Sequence, residues 1–169
     1  MGPNPIPAGL HLTRVARVVS RAFDDALAGA GGSLPVWLVL LNLTINPRAN
    51  QRELADAVGV REATLTHHLN AMEKDGLLTR RRDPDNRRIH IVELSEVGHA
   101  LFLRLRDAAV SFDGRLRQGL SETEIDRLTS LLNRLAYNVG GVGDGPAWTG
   151  LAEHDAVQPP RKPREAPAP

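Results

Sequence analysis

The sequence has no cysteine, which excludes disulfides, zinc–thiolate sites and thiol redox sensing. Aromatic residues are scarce at 4%, against 41% hydrophobic residues overall, so any core is built mainly from Leu, Val and Ala. Such a composition favours packed helices over a β-sandwich. No apolar run reaches membrane-spanning length, and the N-terminus lacks the charged-then-apolar pattern of a signal peptide. A soluble cytoplasmic protein without membrane contact is expected. A large charge of either sign is also missing: the formal net charge is +1 over 169 residues. Affinity for nucleic acid would have to come from local clustering. Enzyme signatures are missing too. There is no Gly-rich phosphate loop after a strand, no nucleophile elbow and no carboxylate–histidine cluster. No enzyme activity and no cofactor are expected, and the length fits one domain with tails.

The informative stretch runs from Asn50 to Leu94. Asn50 followed by Glu53 is a capping-box variant that starts a short helix with Leu54, Ala55 and Val58 facing inward. Gly59 supplies a positive φ for a sharp turn. A second helix is expected from about Glu62 to Asp75, with Leu65, His68 or Leu69, and Met72 on one face, and Gly76 stops it. Leu77–Arg82 and Arg88–Leu94 have strand character around the turn-forming residues 83–87. The order is helix, turn, helix, hairpin, which is the outline of a winged helix-turn-helix. The free side of the second helix carries Glu62, Ala63, Thr66, His67, Asn70 and Lys74, residue types suited to a major groove. Thr79–Val92 holds five Arg (80, 81, 82, 87 and 88) against two Asp, three net positive charges for a phosphate backbone or a minor groove. Arg82 and Arg88 are candidate contacts on this basis. Ile89 and Ile91 should face inward, and Arg88 and His90 outward.

Helices flank this module. The expected first helix, 10–30, has an apolar stripe through Leu12, Val15, Ala16, Val19, Phe23 and Leu27, with Arg14, Arg17, Arg21 and Asp24 opposite. It reads first as an ordinary amphipathic core helix. A helix opened by Ser33 and Pro35 runs to about Asn46 and is apolar nearly all round. A long helix from Ser95 to about Gly119 repeats Val97, Leu101, Leu105, Phe112 and Leu116, with Gly114 as a possible bend. Ser121 and Glu124 form a capping box for the last helix, striped by Ile125, Leu128, Leu131, Leu132, Leu135 and Val139. These stripes exceed what a small winged helix can cover, so the outer helices should interlock with a second copy. Two reading heads one helical turn apart also suit a pseudo-palindromic double-stranded DNA operator. Residues 1–9 hold three Pro and should be irregular. Residues 140–169 carry six of the twelve Pro and no apolar period, and a solvated tail is expected.

At Gln51–Ala55, Thr64–Leu69, Asp75–Arg80, Asp83–Arg88 and Leu94-Ser95-x-x-Gly98 the chain resembles the MarR family of bacterial transcription regulators. The upstream Leu34–Trp37 fits as well, and the likeness covers about residues 10–139. The resemblance implies a mainly α fold with a small β-wing. The winged helix-turn-helix would span about 34–94, with dimerisation helices at about 10–30 and 95–139. It implies a homodimeric, ligand-responsive DNA-binding repressor or activator, repression being the reading taken here. In the family the second helix reads the major groove and the Arg of Asp-x-Arg reaches the minor groove. Those roles fall on Thr66, His67 and Arg87, with Asp85 orienting the wing. One departure is Arg61, where relatives often have a capping Ser or Asp; Arg61 is read as a phosphate or base contact. The missing cysteine rules out the peroxide sensing that some relatives use.

The family also implies a small aromatic or phenolic effector between the dimer helices and the reading head. Candidate liners are His11, Trp37, His99 and Phe102, with Arg14 as an anion partner. The competing reading makes Trp37 core and the two His surface residues. His67 and His68 do not make a metal site, because adjacent helical residues point about 100° apart. His68 is expected to be half-buried and hydrogen-bonded. The alternative function is a winged helix that binds protein without specific DNA recognition. Salt separates the two: a DNA reader loses about 0.9 log unit of affinity per log unit of salt for each phosphate neutralised.

Overall fold

Local caps and glycines set most helix boundaries in the computed structural model, which describes residues 6–47, 49–82 and 90–140. In chain order the elements are α1 (Ala8–Gly29), α2 (Leu34–Ile45), α3 (Gln51–Val58), α4 (Glu62–Lys74), β1 (Leu78–Arg82), β2 (His90–Leu94), α5 (Glu96–Leu116) and α6 (Glu122–Asn138). The fold is mainly helical with one two-stranded antiparallel sheet. Asn50 Oδ1 accepts the Glu53 N–H at 3.0 Å while Glu53 Oε2 accepts the Asn50 N–H at 3.0 Å, closing the capping box of α3. Gly59 (φ 74°) and Gly76 (φ 71°) take the left-handed conformation that ends α3 and turns the chain from α4 into β1. Ser121 and Glu124 form the corresponding box at the start of α6.

The chain divides into two compact units, Met1–Ile125 and Asp126–Pro169. In the first, α2 is the centre. Its Pro sits in the first turn, and Trp37, Val39, Leu40, Leu41 and Leu43 are buried. Leu54 and Ala55 of α3, Leu65, Leu69 and Met72 of α4, Leu78 and Val92 of the sheet, and Leu101, Phe102 and Leu105 of α5 complete the core. In the second unit the rest of α6 shows an open apolar row: Leu128, Leu131, Leu132 and Leu135 are each 39–48% exposed.

Three expectations are corrected. As an ordinary core helix, α1 fails: only Leu27 is buried and Val18 is 69% exposed. It starts at Ala8, two residues early, and its N-terminal half lies beyond what one chain covers. On α5, Val97 and Leu116 are exposed, and Gly98 takes a place in the buried face. A Cβ on Gly98 would lie 1.9 Å from the Leu77 carbonyl oxygen, so the missing side chain lets α5 dock on the wing's entry. The helix runs unbroken through Gly114. On β2, strict alternation fails, because Ile91 and Val92 are both buried. Asn50 bridges Ile91, and the Val92 N–H donates to the Ala49 carbonyl at 3.2 Å. The segment before α3 thus pairs along the free edge of β2. The expected turn at 83–87, Ile89 and the tail at 140–169, apart from Gly140, lie outside the described residues.

Candidate nucleic-acid interface

With about 100° per residue, Ala63, His67, Asn70 and Lys74 of α4 fall within an arc of roughly 60°, turned away from Leu65, Leu69 and Met72. All four are exposed. Glu62, at the first position of the helix, is exposed as well, and so is Arg61, the residue before it. Arg61 has extended backbone and its side chain makes no capping hydrogen bond. Thr66 differs from its expected neighbours. It lies on the flank of α4, half-buried. Its hydroxyl donates to the Glu62 carbonyl at 2.8 Å and accepts from Gln51 Nε2 at 2.6 Å. The Thr66 proton is therefore committed within the head, and one lone pair is left for a ligand. His68 is half-buried, but its ring has no hydrogen bond among the described residues, contrary to expectation. The His67 and His68 ring centroids are 6.1 Å apart, and no group of three metal-ligating side chains forms among the described residues.

The wing's charge is redistributed by two carboxylates outside the arginine-rich stretch. Arg80 donates from Nε to Glu73 Oε2 at 3.0 Å and from its backbone N–H to Glu73 Oε1 at 3.2 Å. It also reaches Asn70 Oδ1 from Nη2 at 2.6 Å. The guanidinium holds the Glu73 carboxyl below the usual carboxylate range, mainly through the side-chain hydrogen bond. Arg81 pairs with Glu93 through two hydrogen bonds of 3.0 and 2.8 Å. Both guanidinium groups are thus engaged by carboxylates. Arg82 is exposed, pairs in register with His90, and forms no ion pair among the described residues. Asp85, Arg87 and Arg88 lie outside the described residues.

Of the expected effector liners, Trp37, Phe102 and His99 come together. The Trp37 and Phe102 rings stack at 5.6 Å with an 8° interplanar angle, and His99 lies 6.3 Å from Phe102. Trp37 and Phe102 are buried and His99 is half-buried. The Trp37 indole N–H has no hydrogen-bond partner among the described residues. His11 and Arg14 are exposed on α1. A groove of about 530 Å³ opens elsewhere, between α1 and α5, lined by Ala22, Asp25, Ala26, Phe112, Arg115 and Leu116. None of the expected liners borders it. Periodicity had no means of finding it, since it depends on how two helices diverge.

Comparison with known proteins agrees with this geometry. The MarR family model matches residues 33–90, the stretch from the start of α2 into β2. The transcriptional repressor CouR, in a structure bound to a 23-mer DNA duplex, is 31% identical, with a TM-score of 0.71 over 77% of this chain and 92% of that one. A MarR-family regulator from Rhodococcus sp. RHA1 is 26% identical, with a TM-score of 0.65 over 79% of this chain and 94% of that one. CouR from Rhodococcus jostii RHA1, bound to p-coumaroyl-CoA, shares the fold at 23% identity, with a TM-score of 0.65 over 78% and 92% of the two chains. Among the described residues no single helix is long and apolar enough to cross a membrane. With its helix-turn-helix, its paired wing strands and its likeness to CouR, the chain belongs to the MarR family of transcription regulators.

Proposed function

We propose that the protein is a homodimeric repressor that binds a pseudo-palindromic double-stranded operator, without catalysis, in the bacterial cytoplasm. The observation that carries the reading is the exposed polar arc of α4, whose opposite edge is locked into the core. Such a helix is presented rigidly, as groove reading requires. The likeness to a DNA-bound repressor supports the same partner. Ala63, His67, Asn70 and Lys74 face the groove in this reading, and Arg61, Glu62 and Thr66 flank it. Arg82 and Arg88 meet phosphate, and Asp85 and Arg87 keep the wing roles that the family implies. Dimerisation is supported by the open apolar rows of α1 and of α6, each of which calls for a covering surface. Selection of bound duplexes from a random pool tests the reading directly. A two-fold symmetric winner with a steep salt dependence is expected, and a protein that retains no duplex at low salt refutes it.

Regulation by a small acyl or aromatic effector is part of the proposal. A relative was solved with p-coumaroyl-CoA, and here the stacked Trp37–Phe102 pair carries an indole N–H without an acceptor among the described residues. An unsatisfied buried donor costs about 1–3 kcal/mol, which an effector oxygen would offset. Trp37 and Trp148 are the two tryptophans, so Trp148→Phe leaves Trp37 as the sole indole reporter. Titration of that variant with aromatic carboxylates and their thioesters should change its fluorescence and release the operator together.

A further inference from the structure

The Arg80 clasp has a consequence for sequence recognition, and the inference rests on the DNA-reading role just proposed. We propose that Asn70 determines specificity by reading the groove only as a hydrogen-bond donor, and that Arg80 is the positioning residue that enforces this. A guanidinium carries donors and no acceptor, so the Asn70 atom that meets Arg80 Nη2 at 2.6 Å is the amide oxygen whichever way the amide is drawn. Arg80 is not free to swing away. The Glu73 carboxylate holds both its Nε and its backbone N–H. Glu73 and Asn70 are three apart on α4, neighbours on the helix surface, so one guanidinium spans both. Oδ1 is thereby held toward Arg80 of β1, which leaves Nδ2 as the unengaged end of the amide. Nδ2 has no partner among the described residues.

An unconstrained asparagine in a major groove pairs with adenine through two bonds, accepting from N6 and donating to N7. With Oδ1 held against Arg80, one of its lone pairs is taken and the oxygen is aimed at β1, so the two-bond pairing with adenine is lost. What remains is a donor, which suits the keto edges of guanine (O6 and N7) or thymine (O4). At adenine the same donor faces the N6 amino group beside N7. The inference is a keto preference at the base pair that Asn70 meets.

The test is selection from a randomised duplex pool with the full-length protein, the fold of each variant being followed by circular dichroism. Asn70→Ala should flatten preference at one position per half-site, by on the order of tenfold, and so identify the contact. The wild type should select guanine or thymine there. Asn70→Asp keeps an acceptor for Arg80 but presents a second acceptor outward, and should switch the position to cytosine, whose N4 donates. Arg80→Ala frees the amide and should raise adenine at that position about tenfold, leaving the salt slope unchanged because Arg80 meets no phosphate. Adenine selected by the wild type, no position flattened by Asn70→Ala, or a keto preference surviving in Asn70→Asp would each overturn the inference alone. The Asn70→Asp result decides the matter even if Arg80→Ala fails to fold. A wild type that selects no sequence removes the regulator reading and this inference with it.

Discussion

Two apolar helices of this chain meet opposite fates. In α2 the apolar residues run nearly all round, and five of them are buried within one chain. In α6 they form a clean stripe and none is buried. The contrast separates a part that is finished by its own sequence from a part that is not. Around α2 the helix-turn-helix and the sheet close a core. The row Leu128, Leu131, Leu132 and Leu135, and the N-terminal half of α1, keep apolar surface that a soluble protein rarely leaves open.

The comparison breaks first at the open helices. Leu128→Asp with Leu135→Asp should weaken self-association on the order of a hundredfold or more, since each carboxylate would have to be desolvated in the interface. Sedimentation velocity should report monomers, helical dichroism should persist, and duplex retention should fall. Dimers of undiminished stability would show that α6 is not the joining surface. In the closed part the largest effect is expected at Gly98. Gly98→Ala forces a methyl group against the Leu77 carbonyl and should cost about 1–3 kcal/mol in urea unfolding. Asn50→Ala removes one side of the α3 capping box and should cost about 1 kcal/mol by the same measurement. The smallest effect belongs to Glu73. Its carboxyl is depressed in the folded state by Arg80, so its contribution is present above the ordinary carboxylate range and lost as the pH falls through the lowered value. Because the pair is partly exposed, Glu73→Gln should flatten that acid limb by only about a few tenths of a kcal/mol.

Much of the closed part is legible in the sequence because its signals are local. Asn50 and Glu53, Gly59 and Gly76 each act within a turn of chain, as Ser121 and Glu124 do at the start of α6, and the helices begin and end close to where those residues place them. What sequence spacing missed depends on pairing at a distance. Counting charge from Thr79 to Val92 leaves out Glu73 and Glu93, the two carboxylates that occupy Arg80 and Arg81. The period of α4 gives its outward side except at Thr66, whose hydroxyl accepts from Gln51, fifteen residues earlier. Val92 reads as outward by alternation and is buried, and its N–H is taken by the Ala49 carbonyl, more than forty residues before it. The stripe of α1 is plain, but an apolar stripe says that something covers it and not what. Of the effector liners, the Trp37–Phe102 pair is brought together by the docking of α5 on α2, which no local pattern encodes.

Ser95 sits where three parts of the reading head meet. Its hydroxyl donates to the Gly76 carbonyl at the end of α4 and accepts the Gly98 N–H at the start of α5, while its backbone N–H holds the Leu77 carbonyl. A single side chain is thus the hinge pin between the long outer helix and the helix presented to the groove. A twist of α5 about its axis would reach α4 most directly through that pin.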